Sequence, residues 1–177
     1  MEDAIAFAVE MNEWVWKRFV ADLQDVTPEE AEWRPLPEAN NINLIVRHLR
    51  VEAQWQLDAM AEGKPMPAEL TESDQKAIDS IPLDDFAGNF KEFEKSCTGF
   101  IEALHRTSLA GLEEKGETAY QEYRLAGASP TTRMLGFHHA VHLAGHLSQI
   151  HTIRNLYRKT RGEPARFFPD NPTFPRT

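Results

Sequence analysis

The stretch that decides the fold reads Phe86-Ala87-Gly88-Asn89-Phe90-Lys91-Glu92-Phe93-Glu94-Lys95-Ser96-Cys97-Thr98-Gly99-Phe100-Ile101-Glu102-Ala103-Leu104. Phe86, Phe90, Phe93, Cys97, Phe100 and Leu104 recur at steps of three and four, which places them along one side of an α-helix. The other side carries Lys91, Glu94, Lys95 and Glu102. An aromatic stripe of this kind is what a helical bundle buries, so core is the expected role rather than a cofactor box. Cys97 lies inside the stripe and reads as a buried, inert thiol rather than a nucleophile. The helix is expected from about Pro82 to about Arg106.

Three further segments keep the same period. Ile5, Ala8, Met11, Val15, Phe19 and Leu23 predict a first helix over roughly 3–24, with Trp14 and Trp16 flanking its apolar face. Thr27-Pro28-Glu29-Glu30 forms a capping box with Pro at the first helical position, but Trp33-Arg34-Pro35-Leu36-Pro37 stops that helix after a short turn. Asn41 is a good cap for the next long helix, which runs to about Glu62 with an expected core stripe of Leu44, His48, Val51 and Trp55. Gly63-Lys64-Pro65-Met66-Pro67 closes it, and a polar stretch from about Glu69 to Ser80 predicts a loop with a helical piece. Residues 108–128 read as a connection with a short extended piece at Tyr120–Leu125. Ser129-Pro130 then starts a last helix that reaches about Lys159 and ends before Gly162. Four long helical segments and no convincing alternating strand predict an all-α four-helix bundle over 1–160. The Pro-rich tail, 161–177, is expected to lie over the bundle or over a partner subunit.

Bulk properties narrow the function. There are 19 Lys+Arg against 28 Asp+Glu, a net charge of −9, which disfavours nucleic acid as a partner. The basic cluster Arg154, Arg158, Lys159 and Arg161 is explained as cations on a helix C-terminus. A single cysteine excludes an internal disulfide and fits a reducing compartment. The start, Met1-Glu2-Asp3-Ala4-Ile5, carries acids where a secretory signal is basic. No apolar run of about 18 residues suggests a membrane span. The expectation is a soluble protein of the cytoplasm.

Five of the seven histidines fall between residues 138 and 151. His142 and His146, spaced i, i+4, rise from one helical face, which lets two imidazoles reach one ion. Leu135 and Ile153 share that face and mark it as inward. His138 and His139 flank it as outer groups or pocket walls, and His151 points away toward solvent. His105 suits the end of its helix. His48, on an apolar face of another helix, is the available third ligand, since bundles build metal sites from facing helices. Three inward histidines suit a divalent transition metal with an open position for water or substrate. Glu52, one turn after His48, reads first as a solvated charge, and otherwise as an outer acceptor or a fourth ligand. A packed histidine core without metal is the plainer alternative.

The segment Asn43-Leu44-Ile45-Val46-Arg47-His48-Leu49, the late His142-x-x-x-His146-x-x-Gln149-Ile150 and the Thr-Pro-Glu-Glu…Trp-Arg-Pro-Leu-Pro run resemble the DinB/YfiT-like superfamily of metalloproteins. The resemblance implies a four-helix bundle, a homodimer, and a three-histidine site for nickel, zinc or a similar ion, with His48, His142 and His146 in the ligand places. It also implies a metal-dependent transferase or isomerase acting with a low-molecular-weight thiol on a small-molecule substrate. A non-catalytic metal-binding bundle is the other reading. Many members read His-Arg-Gly-Gln where this chain has His146-Leu147-Ser148-Gln149, a departure that leaves the ligands intact.

Overall fold

A computed structural model describes residues 2–62, 71–107 and 132–166. Among them are six helices and no strand: α1 (Glu2–Leu23), α2 (Pro28–Glu32), α3 (Ile42–Glu62), α4 (Glu72–Asp79), α5 (Phe86–Arg106) and α6 (Thr132–Thr160). The four long helices form an all-α bundle. The connection at 108–131, including Ser129-Pro130 and the extended piece expected near Tyr120, lies outside the described residues, as do Gly63–Pro67 and 167–177.

Local chemistry sets the ends. Thr27 Oγ1 accepts the Glu30 N–H at 3.2 Å, and Pro28 occupies the first turn of α2. Asn41 Oδ1 accepts the Leu44 N–H at 2.8 Å and starts α3. The start of α5 falls later than Pro82, because Asp85 caps it by accepting the Gly88 N–H at 2.8 Å. A Cβ at Gly88 would come within 2.0 Å of that carboxylate, so a larger residue there requires the Asp85 side chain to shift. Gly162, at φ 72°, terminates α6 in the left-handed region.

The topology follows from which residues meet. Arg50 reaches Asn89, Ser96 reaches Gln54 and Thr107 reaches Met60, so α3 and α5 run parallel. Asn12 donates to Gly136 O and Arg154 to the Asp22 carbonyl, so α1 and α6 are parallel too. His48 opposite His142 and Glu52 opposite His138 make α3 and α6 antiparallel. The order is therefore up-down-down-up, with neighbours α1–α5–α3–α6 around the ring. Parallel α3 and α5 require a crossover the length of the bundle, and α4 forms part of it.

The α5 stripe packs as its spacing predicts. Phe93, Cys97, Phe100 and Leu104 are fully buried, and Phe93 meets Phe19 edge-on at 5.3 Å and Trp16 at 5.4 Å. Burial pushes the Cys97 thiol well above its ordinary pKa, as an inert core cysteine requires. On α3 the buried apolar residues are Ile42, Ile45, Val46, Leu49 and Ala53, not Leu44, Val51 and Trp55, so the helix is rotated from its expected orientation.

The basic end of α6 has a role beyond the helix dipole. Arg154, its side chain 4% exposed, donates Nε to Glu30 Oε1 at 2.7 Å and NH2 to Asp25 Oδ1 at 2.8 Å. Its NH1 also meets the Asp22 main-chain oxygen. His151, expected in solvent, instead turns Nδ1 toward Asp22 Oδ1 at 3.4 Å. Arg158 and Arg166 add to Asp25, and Arg166 exchanges main-chain hydrogen bonds with the Asn155 side chain, so the chain just past α6 lies along the bundle. Replacing Arg154 with Met strands two buried carboxylates, Asp22 and Glu30. We expect a loss of about 3–5 kcal/mol in urea unfolding, whereas a loss under about 1 kcal/mol would mean that the network is not a fastening of α6 to α1 and α2.

Candidate metal centre

The α3–α6 seam carries the polar chemistry of the bundle. Antiparallel packing sets His48 and Glu52, one turn apart on α3, against His138, His142 and His146, one turn apart on α6. The structure thus brings His48 of α3 together with the His142 and His146 pair of α6, His142 lying 94 residues on from His48. His142 Nε2 stands 2.9 Å from His146 Nε2 and 3.3 Å from His48 Nε2. Nitrogens bound to one tetrahedral ion at about 2.0–2.1 Å are separated by about 3.3–3.4 Å, so these spacings suit a shared ion.

The protonation states favour such an ion. His142 is lowered to about 4, first by burial and then by its histidine neighbours, against a raising influence from Glu52. Burial also lowers His146. Both rings are neutral at neutral pH and present lone pairs. One hydrogen on His142 Nε2 can bridge to one neighbour only, while a hydrogen on His48 Nε2 can go to Glu52 Oε2 at 3.2 Å. A cation would engage all three nitrogens at once. His146 Nδ1 lies 3.0 Å from Gln149 Oε1, and donation there leaves Nε2 as the free lone pair.

Glu52 is more central than its position on a helix suggests. It is buried, at 7% exposure, and not a solvated charge. Oε2 lies 3.2 Å from His48 Nε2 and 3.3 Å from His142 Nε2. Oε1 lies 3.1 Å from His138 Nε2 and accepts from Gln56 Nε2 at 3.1 Å. Glu52, His138 and His142 therefore form a second group with metal-ligand spacing that shares His142 with the first. Gln56, fully buried, passes the network on to His139 Nδ1.

His139 is a core residue. It is fully buried, stacks on Phe100 at 4.2 Å, and is lowered to about 3, chiefly by burial. Gly145 is exposed, and a Cβ there would meet nothing within 4 Å among the described residues, so it does not make room for the histidines. His142 and His146 are half-buried and His48 is exposed at its outer edge, so the cluster sits at the border between core and solvent. On that border opens a cavity of about 370 Å³ lined by His48, Glu52 and His146 together with Leu44, Trp55 and Ile78. The apolar stripe expected in the core of α3 forms its wall. In the sequence Glu52 reads first as a solvated charge and Gln56 goes unnoticed, because α3 carries many polar residues. The available signal is the i, i+4 ladder His48, Glu52, Gln56.

Among the described residues no helix is long and apolar enough to cross a membrane. No curated protein and no solved structure matches the chain. One family model does, the Mycothiol-S-transferase model, over residues 10–159. That span holds α2 to α5, about two thirds of α1, nearly all of α6, and every residue of the histidine cluster. By that match, and with the fold and cluster in place, the chain belongs to the mycothiol S-transferase family, a DinB/YfiT-like family.

Proposed function

We propose that the protein is a metal-dependent thiol S-transferase whose divalent ion is held by His48, His142 and His146. The observation that carries the reading is the meeting of His142 Nε2 with His146 Nε2 at 2.9 Å and with His48 Nε2 at 3.3 Å, beside a buried carboxylate and at the mouth of a cavity of ligand size. Nickel, zinc or a similar borderline ion suits three imidazoles and one oxygen. Such an ion, when bound, is a Lewis acid that makes a thiol acidic enough to react as thiolate near neutral pH.

The chain's own residues supply the rest. Glu52 Oε1 is engaged by His138 and Gln56, and Oε2, 3.2 Å and 3.3 Å from the Nε2 atoms of His48 and His142, is the oxygen placed beside the ligand nitrogens to take the proton of an entering thiol. Gln149 orients His146, and His138 with Gln56 orients Glu52. Leu44, Trp55 and Ile78 exclude water from one side of the cavity. In the transfer, sulfur forms the new S–C bond and the leaving group departs with the electron pair of the bond that breaks. Cys97 has no part in it, being sealed in the core. The family match favours mycothiol as the thiol. A homodimer is what the DinB/YfiT-like resemblance implies, and a reducing compartment such as the cytoplasm is consistent with the single cysteine.

Three outcomes follow. Protein purified without a histidine tag is expected to hold about one transition-metal ion per chain by elemental analysis, and His142→Ala to lose it. A wild-type chain that takes up no ion under saturating zinc or nickel contradicts the centre. Metal-loaded protein is expected to couple mycothiol to monochlorobimane, and Glu52→Gln to lower turnover by about 10²–10⁴-fold while keeping its metal. Failure with mycothiol, bacillithiol and glutathione alike would rule out a transferase.

The third outcome concerns pH. His139 and His142 are lowered to about 3 and about 4, so between those values and about 6.5 the unfolded chain binds more protons than the folded one. Their contribution is intact above about 6.5 and is lost as pH falls toward 4. The metal-free melting temperature should drop between pH 7 and pH 5, and a flat profile there would contradict neutral buried imidazoles.

A further inference from the structure

The cavity beside the histidine cluster also holds Arg47, whose surroundings differ from those of the more deeply withdrawn Arg154 and Arg158, which share the carboxylates at the end of α6. Arg154 is 4% exposed and is matched by Asp22, Asp25 and Glu30. The Arg47 side chain is only 15% exposed, yet among the described residues its one ionic partner is Asp79 of α4, at 4.0 Å, and that carboxylate is 58% exposed. A guanidinium withdrawn this far normally has close oxygen partners, because it carries five N–H donors and a permanent charge. Here Arg47 lines a cavity together with His48 and His146 and with the apolar Leu44, Trp55 and Ile78. A cationic fork, apolar lining and the histidine cluster in one cavity together describe a ligand with a carboxylate and an apolar body.

We propose that Arg47 is the anion-recognising residue of this cavity, and that the electrophile is an aromatic or aliphatic carboxylic acid. Its carboxylate pairs with Arg47, its apolar body lies against Trp55 and Ile78, and its reactive carbon is held toward His48 and His146. Asp79 is then a weak placeholder, displaced when the acid enters. The proposal rests on the transferase reading for the identity of the bound acid as electrophile; the binding itself does not.

The test is calorimetric titration of the full chain, zinc-loaded and metal-free, with 2-naphthoate and with the neutral 2-naphthamide. A hydrogen bond to a charged group is worth about 1.5–3 kcal/mol, so 2-naphthoate should bind at least about tenfold more tightly than the amide, with or without zinc. In Arg47→Gln the two should bind alike, and Arg47→Lys, which keeps the charge and loses the fork, should retain part of the preference. If the glutamine variant does not fold, the lysine variant decides by its reduced preference. A preference that survives in Arg47→Gln but vanishes without zinc would make the carboxylate a metal ligand and overturn the proposal. Absence of binding by both compounds overturns it as well. The metal content of the same samples is read separately, so failure here is distinguishable from failure of the metal centre.

Discussion

A carboxylate buried against four nitrogens governs the α3–α6 seam. Glu52 faces His48, His142 and His138 and accepts from Gln56, all within 3.1–3.3 Å. An isolated buried carboxylate costs several kcal/mol, and it is tolerated only when paired and hydrogen-bonded. His142, lowered to about 4, is neutral near pH 7 and gives little compensating charge. A divalent cation at the histidine nitrogens, as proposed, would supply the compensating charge that the neutral imidazoles do not. The same constraint explains why the polar residues of the seam are ordered one turn apart, each held by the next.

The rest of the bundle serves this seam. The aromatic packing of Trp16, Phe19 and Phe93 joins α1 to α5, and the Arg154 network fastens α6 to the end of α1 and to α2. With α6 held at that end, His138, His142 and His146 meet α3 at a fixed height. The parallel arrangement of α3 and α5 carries α4 across the outside, and Ile78 and Gln75 of that helix help to enclose the cavity. Fold and site are coupled through the up-down-down-up order: an antiparallel α3–α5 pair would connect by a short turn and leave no crossing helix there.

Much of this was legible in the residues. The α5 stripe, the Thr27 and Asn41 caps and the spacing of His142 and His146 each depend on local periodicity, which the sequence displays directly. The orientation of α3 was not legible, because it carries two apolar stripes. Ile42, Ile45, Leu49 and Ala53 face the core, while Leu44, Val51 and Trp55 border a cavity, and hydrophobic spacing cannot tell a core wall from a cavity wall. That ambiguity disguised Glu52 as a surface charge. The partners of Arg154 and His151 lie more than a hundred residues away in sequence, so their charges looked like an ordinary helix end. Only the folded chain shows that they are matched.

The most direct test of the account is the anomalous scattering of a metal-loaded crystal, recorded on both sides of the metal's absorption edge. The account predicts one peak at the α3–α6 seam, at about 2.0–2.1 Å from Nε2 of His48, His142 and His146. A peak elsewhere, or a fully loaded crystal in which these three nitrogens bind no ion, would contradict it.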